Sequence, residues 1–360
     1  MSTTMRRLGD RFDAATRGPR GRVLALALAA VAAVVPLALS QYDVDVLTDV
    51  ALWSAIALGL NVVVGFAGLL DLGYMAFYAF GGYAFAILST QAHWSLWACL
   101  PVGAAIAGGF GAFFGFPTLR LRGDYLAVMT LGFGEIVYLA ANNLQITGGP
   151  GGIFGMPIPT LGRLSLGQPI DYYWMALALV ALAAWVIGAV ARTRTGRAWA
   201  YLREDETAAQ AMGIPVLRYK LLAYVFGAVW AGLAGALFAA KQTIITPDTF
   251  TFTESFLAVA VVVLGGVGSL PGVILGAFAY IVIDEYFQAF TASYSGLIFS
   301  ALLLIFILLR PAGLWPSRQR AQELGRSGLA PSRGERPDPG QGRGAGLGEA
   351  GAVPPGGGAP

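Results

Sequence analysis

Apolar runs separated by short polar punctuation fill most of the chain: Val23–Leu39, Leu47–Val64, Tyr74–Leu88, Trp94–Phe116, Tyr125–Leu139, Tyr172–Ala191, Leu221–Ala240, Ser255–Leu264, Gly272–Ile283 and Gly296–Leu309. Most are too long and too uniformly apolar for one face of a soluble helix, and lipid satisfies them better than a protein core does. The pattern predicts an all-α, polytopic membrane protein with about ten transmembrane helices. Two runs are interrupted by glycine: Gly65–Gly73 (GFAGLLDLG) and the turn GGVGSLPG that begins at Gly265. If either break marks a re-entrant element, the crossing number falls in steps of two, to eight. The breaks also resemble each other, since Val62-Val63-Val64 precedes one and Val261-Val262-Val263 the other. Such interruptions in corresponding parts of a transporter mark unwound backbone lining a pathway, and irregular backbone at membrane depth survives only inside protein or beside water.

Charge then orients the chain. Placing the N-terminus in the cytoplasm puts 21 of the 23 basic residues on that side, and leaves only Arg163 and Lys241 outside. Ten crossings with both termini cytoplasmic therefore satisfy the positive-inside rule. Residues 1–22 form a basic cytoplasmic N-terminus, residues 23–315 the transmembrane region, and residues 316–360 a cytoplasmic tail. Arginines followed by Val23–Leu39 also fit a signal peptide, but a run of 17 residues exceeds the usual signal core and is read as an uncleaved first helix. The last 40 residues hold 12 Gly and 6 Pro, too few large apolar groups to offset chain entropy, so disorder is expected there.

The longest charged run between spans is 192–220, with Arg192, Arg194, Arg197, Arg203, Arg218 and Lys220. Its spacing predicts one short helix. Asp205 caps a start at Glu206, Gly213 takes a left-handed exit, and Pro215 blocks continuation. The helix is expected to present Ala208, Ala209 and Met212, a small-residue surface suited to docking against another protein.

Composition agrees with the hydropathy pattern: 56% of residues are hydrophobic and 12% charged, with a mean hydropathy of +0.66. A net charge of +3 gives no argument for nucleic acid. Cys99 is the lone cysteine, which excludes an intramolecular disulfide and a cysteine metal site. His93 is the only histidine and has no partner motif, and no phosphate-binding G-x-x-x-x-G-K-[ST] run occurs. Enzymatic chemistry therefore lacks its residues, no metal site is expected, and any ATP used must be bound by another polypeptide. Polar groups inside the apolar runs are the candidates for a translocation pathway: Asn61, Asp71, Glu135 and Asn142. A carboxylate at membrane depth is expensive unless paired or wet. Glu135 is expected to face the bundle interior or a polar cavity, with a hydrogen bond to a neighbouring helix as the structural alternative. Asp71 is placed to cap a helix starting near Tyr74, and Asp284 and Glu285 are read as solvated at a span end.

Several motifs in order resemble the permease subunits of branched-chain amino acid ABC importers, of the LivM type: ALGLNVVVGFAGLLDLGYMAFYAFGGYAFAIL, PTLRLRGDYLAVMTLGFGEI, NNLQITGGPGGI, TGRAWAYLREDETAAQAMGI, SFLAVAVVVLGGVGSLPGVILGA and LRPAGLWP. The resemblance runs from about Leu47 to Leu314. It implies a second, related permease, two cytoplasmic ATPases that hydrolyse ATP, and a periplasmic or lipid-anchored substrate-binding protein. It implies a bacterial-type inner membrane and no cofactor bound by this chain. It also makes Glu204, Asp205, Glu206, Thr207, Ala208, Ala209, Met212 and Gly213 the ATPase-coupling loop. Ala208, Ala209 and Gly213 match the two alanines and the glycine of the family's loop pattern. Thr207 stands where that pattern has Glu, with Glu206 one position earlier. Related permeases for urea and other amides leave a second substrate class open, and a stand-alone channel or secondary carrier is the reading from another class.

Overall fold

Ser40 starts the first described helix: its side-chain oxygen accepts from the Asp43 amide, and the Asp43 carboxylate accepts from the Ser40 amide. This reciprocal capping box explains why Asp43 and Asp45, expected in a polar connection before Leu47, lie inside helix α1 (Gln41–Leu60). A computed structural model describes Pro36, residues 39–291 apart from 122, 162 and 163, and residues 314 and 315. The basic N-terminus, the Val23–Leu39 and Gly296–Leu309 runs and the tail fall outside the described residues, apart from Pro36 and Leu39.

After α1 the chain widens into a π-helical turn, Asn61–Phe66, then breaks and re-enters as α2 (Met75–Gln91). There follow α3 (Leu96–Thr118), α4 (Asp124–Asn143), α5 (Pro169–Ala191), α6 (Arg194–Glu204), α7 (Glu206–Ala211), α8 (Val216–Gln242), α9 (Phe252–Gly265) and α10 (Leu270–Thr291). Two-residue ladders pair Ile153–Phe154 with Ile244–Ile245, and Thr160–Leu161 with Leu164–Ser165. Six helical segments among the described residues are long and apolar enough to cross a membrane: Gln41–Phe66, Leu96–Thr118, Asp124–Asn143, Pro169–Ala191, Val216–Gln242 and Pro247–Gly265. The expected ten crossings are not reached there. α10 also runs straight through Asp284 and Glu285, which are half-buried rather than solvated, and the Tyr42 hydroxyl bonds the Glu285 carboxylate.

The core is a close stack of α2, α3 and α8, built on small residues, with α1 packed on α5, α10 and α8. Apolar lipid gives little hydrophobic drive between helices, so close backbone approach and dispersion must hold them together. Gly81 on α2 is the tightest point. A methyl group there would overlap the Gly232 backbone of α8, and its counterpart at Gly235 would overlap the Tyr78 carbonyl. Tyr74 fills the space beside this seam and donates its hydroxyl to the Gly227 carbonyl at 2.8 Å. Aromatic side chains then extend the packing, with Phe77 touching Tyr224 edge-on and Phe80 stacked on Phe110.

The two ends of the stack differ. At one, Lys241 joins Asp49 at 2.6 Å and Asp45 at 3.1 Å, and the Ile153–Ile245 ladder ties the long loop after α4 to the connection after α8. At the other lie both glycine breaks and the α6–α7 loop, while Gly115 near the end of α3 packs on Leu221 and Tyr224 at the start of α8. Every basic residue among the described ones sits at this second end, except Lys241.

Candidate functional site

The loop between α5 and α8 is a rigid two-helix element. α6 was not anticipated, although Ala198, Trp199 and Leu202 carry the one-face spacing that could have found it. These three are buried, and the Trp199 indole donates to the Tyr219 carbonyl at 2.8 Å, pinning α6 to the first turn of α8. α7 is the helix expected. Asp205 accepts from the amides of Thr207 and Ala208 at 2.7 and 3.0 Å. Gly213 adopts φ +81°, where a side chain would be strained, and the Ile214 amide bonds back to the Ala209 carbonyl.

Two expectations for this loop change. Ala209 is buried, 3% exposed, so it anchors α7 against the rest of the protein and is absent from the outward surface. A two-turn helix must bury one stripe, and the alanines alone did not say which. Glu206 turns inward as well, forming a 2.8 Å ion pair with Lys220, whose side chain is 4% exposed. The outward surface consists of Glu204, Asp205, Thr207, Ala208, Gln210, Ala211, Met212 and Gly213, with Met212 82% exposed.

The four pathway candidates are not brought together. Asn61 is fully buried in the π turn, and its side-chain oxygen accepts the Gly268 amide at 2.8 Å. The two breaks singled out by their similarity are thus in direct contact. Helices α1 and α9 run into them in the same direction, so the pair is parallel, not inverted. The Asn61 amide nitrogen has no hydrogen-bond partner among the described residues. Asp71 is also buried. One oxygen accepts the Gly73 amide at 2.9 Å, close to the expected capping role, and Tyr224 and Thr130 are its other polar neighbours. Asn142 is half-buried at the far end of α4, where its carbonyl backs onto Gly149.

Glu135 departs from expectation. It does not face this subunit's interior but lies on the exposed side of α4, among Val128, Met129, Ile136 and Leu139. Leu126, Ala127, Thr130 and Phe133 are the residues that turn inward.

What sequence reasoning missed is the long-range contact from loop to break. Arg203, the penultimate residue of α6, donates a hydrogen bond to the Gly65 carbonyl at 2.7 Å. Gly68, at φ +71°, lets the chain lie against the Arg203 stem, 3.0 Å being the reach from a methyl group there to Cγ.

Membrane-length helices, glycine breaks meeting inside the protein and an uncovered two-helix loop define a multi-pass membrane protein. A family profile described as the permease component of the branched-chain amino acid transport system matches residues 43–308. The chain belongs to this family of transport permeases. It is 42% identical over 333 residues to the high-affinity branched-chain amino acid transport permease LivM of Salmonella typhimurium, covering 86% of this chain and 78% of that protein. It is 43% identical over 319 residues to LivM of Escherichia coli, covering 82% and 75% respectively. LivH of Salmonella typhimurium is 25% identical over 286 residues, covering 73% of this chain and 90% of its own length. No solved structure matches.

Proposed function

We propose that this chain is one of two related permease subunits of an ATP-driven importer for branched-chain amino acids in a bacterial-type inner membrane. Separate cytoplasmic subunits hydrolyse the ATP, and a periplasmic or lipid-anchored binding protein delivers the substrate. The observation that carries the reading is the α6–α7 loop, locked from within by Trp199 and the Glu206–Lys220 pair yet bare on its outer face. A loop with no partner would gain nothing from such rigidity; one that transmits force requires it. The basic end holding this loop is assigned to the cytoplasm, because Lys and Arg beside spans are retained there. The full count is proposed as ten crossings with both termini cytoplasmic.

The test is to express the chain with its partner permease and the ATPases, and to measure copurification and uptake of labelled leucine. Met212→Asp places a charge at the centre of the proposed contact. It is expected to leave the permease abundant while cutting ATPase retention and uptake at least about tenfold, since an unpaired charge in a close interface is strongly unfavourable. Full retention with normal uptake would exclude this face as the docking surface.

The exposed side of α4 is proposed as the wall of the pathway, facing the second permease. Glu135 is the twelfth of 20 residues in a helix of membrane length, so lipid around it would have to solvate a carboxylate near mid-depth. Water or polar protein must cover it instead. Glu135→Gln is expected to keep the complex assembled while lowering leucine uptake about tenfold or more. Unchanged uptake would remove this carboxylate from the pathway.

A further inference from the structure

One set of contacts links the outward-facing loop to both chain breaks. The π turn Asn61–Phe66 ends with the Gly65 carbonyl directed at Arg203 Nη1, 2.7 Å away. Terminal carbonyls of a helix lack intrahelical partners and carry its partial negative charge, so a guanidinium fits there both as a donor and as a cation. Within the same turn, Asn61 reaches across to the Gly268 amide in the second break at 2.8 Å. That break is held from behind as well, since the Leu314 and Trp315 amides donate to the Leu264 and Gly265 carbonyls at 2.8 and 3.0 Å. Gly65 sits where these contacts converge. A methyl group on it would overlap Asn61 Oδ1 and come within 2.7 Å of the Gly268 nitrogen.

We infer that Arg203 is a positioning residue that ties the loop to both breaks, so that displacement of the loop moves the two broken helices as one body. This rests on the proposed function, in which the loop receives its displacement from ATPases. A loop bonded to one break alone would tilt α1 and leave α9 behind. With Asn61 bridging to Gly268, the ends of α1 and α9 share the load that Arg203 delivers. Helix bonds resist axial displacement, whereas the breaks are where backbone direction can change, so force applied there reorients helices without unwinding them. Charge-assisted hydrogen bonds are the stronger kind, and the planar guanidinium holds its geometry better than a lysine point charge does.

The experiment reconstitutes the complete complex in proteoliposomes with a binding protein, and reads ATP hydrolysis and labelled leucine uptake on the same vesicles. Arg203→Met is expected to keep the ATPases bound and hydrolysis within about twofold of wild type, while uptake per ATP falls at least about tenfold; Arg203→Lys should recover part of that loss. Gly65→Ala attacks the same link from the membrane side by wedging Asn61 away from Gly268, and should uncouple likewise. A purely structural role would lower abundance, hydrolysis and uptake together and leave their ratio unchanged. The inference is overturned if Arg203→Met or Gly65→Ala transports with the wild-type ratio, or if both variants vanish from the membrane. Absence of ATPases from the wild-type complex would instead sink the importer reading itself.

Discussion

Gly81→Val should leave almost no folded subunit in the membrane. The Gly81 position faces the Gly232 backbone of α8, and from another side a methyl group on Gly103 of α3 would come within 3.4 Å of the Gly81 Cα. Neither neighbour is a side chain that can rotate away. The only relief is separation of α2 from α8, which forfeits the dispersion contacts of the whole seam, including the Tyr74–Gly227 hydrogen bond. Overpacking a core commonly costs about 1–3 kcal/mol where side chains can adjust, and here backbone must move, so a loss above about 3 kcal/mol is expected. Against a total stability of roughly 5–15 kcal/mol, that is enough to expose the chain to degradation. The control is Gly109→Val on the same bundle, where a methyl group meets nothing within 4 Å. Membrane abundance and the unfolding midpoint in detergent should be near wild type for Gly109→Val and collapse for Gly81→Val. Equal abundance of the two would refute the seam as the organising contact.

Glu206→Gln is the second large effect, confined to the loop. It strands the Lys220 ammonium, which is almost wholly buried, without its carboxylate. Removing one partner of a buried pair costs about 3–5 kcal/mol, whereas replacing both by apolar groups of similar volume is often neutral. Because Glu206 keeps about a quarter of its side-chain exposure, the lower end, about 3 kcal/mol, is expected. Cleavage follows the open population of a loop, so trypsin added to the purified protein in detergent should cut 192–218 about a hundredfold faster in the variant. Adding Lys220→Met should return cleavage close to the wild-type rate. A single variant as resistant as wild type would show that the pair does not hold α7 in place.

Local chemistry was readable from the chain, and orientation was not. Asp205, Gly213 and Pro215 specify the start and end of α7 by rules that act within four residues, and the structure follows them. Ser40 and Asp43 obey the same kind of rule, yet two aspartates near an apolar run read as a connection until their reciprocal hydrogen bonds are seen. The face of α4 was illegible for a physical reason. In water a helix separates apolar from polar sides, but α4 is apolar all round, with Val128 and Ile136 outside and Leu126 and Phe133 inside. Hydropathy cannot say which side faces protein, and so the direction of Glu135 was left to default expectation. Contacts across long sequence separations, Arg203 to Gly65 and Asn61 to Gly268, leave no spacing signal at all. The similarity of the two Val-Val-Val–Gly stretches was the one sequence feature that pointed toward their meeting.

The Lys241 cluster has a consequence for the order in which the protein is made. Asp49 and Lys241 are 192 residues apart in sequence but 2.6 Å apart once folded. At about 5–20 residues per second, the ribosome delivers the lysine roughly 10–40 s after the aspartate. Throughout that interval α1 is present with Asp45 and Asp49 near its first turns and without the lysine that pairs with them. Its N-terminal end must therefore wait at the wet boundary of the bilayer, held shallow by its own carboxylates, until α8 arrives. The last turn of α8 then acts as an assembly checkpoint: a nascent chain that ends before Lys241 lacks the ion pairs that hold the N-terminal end of its first described helix.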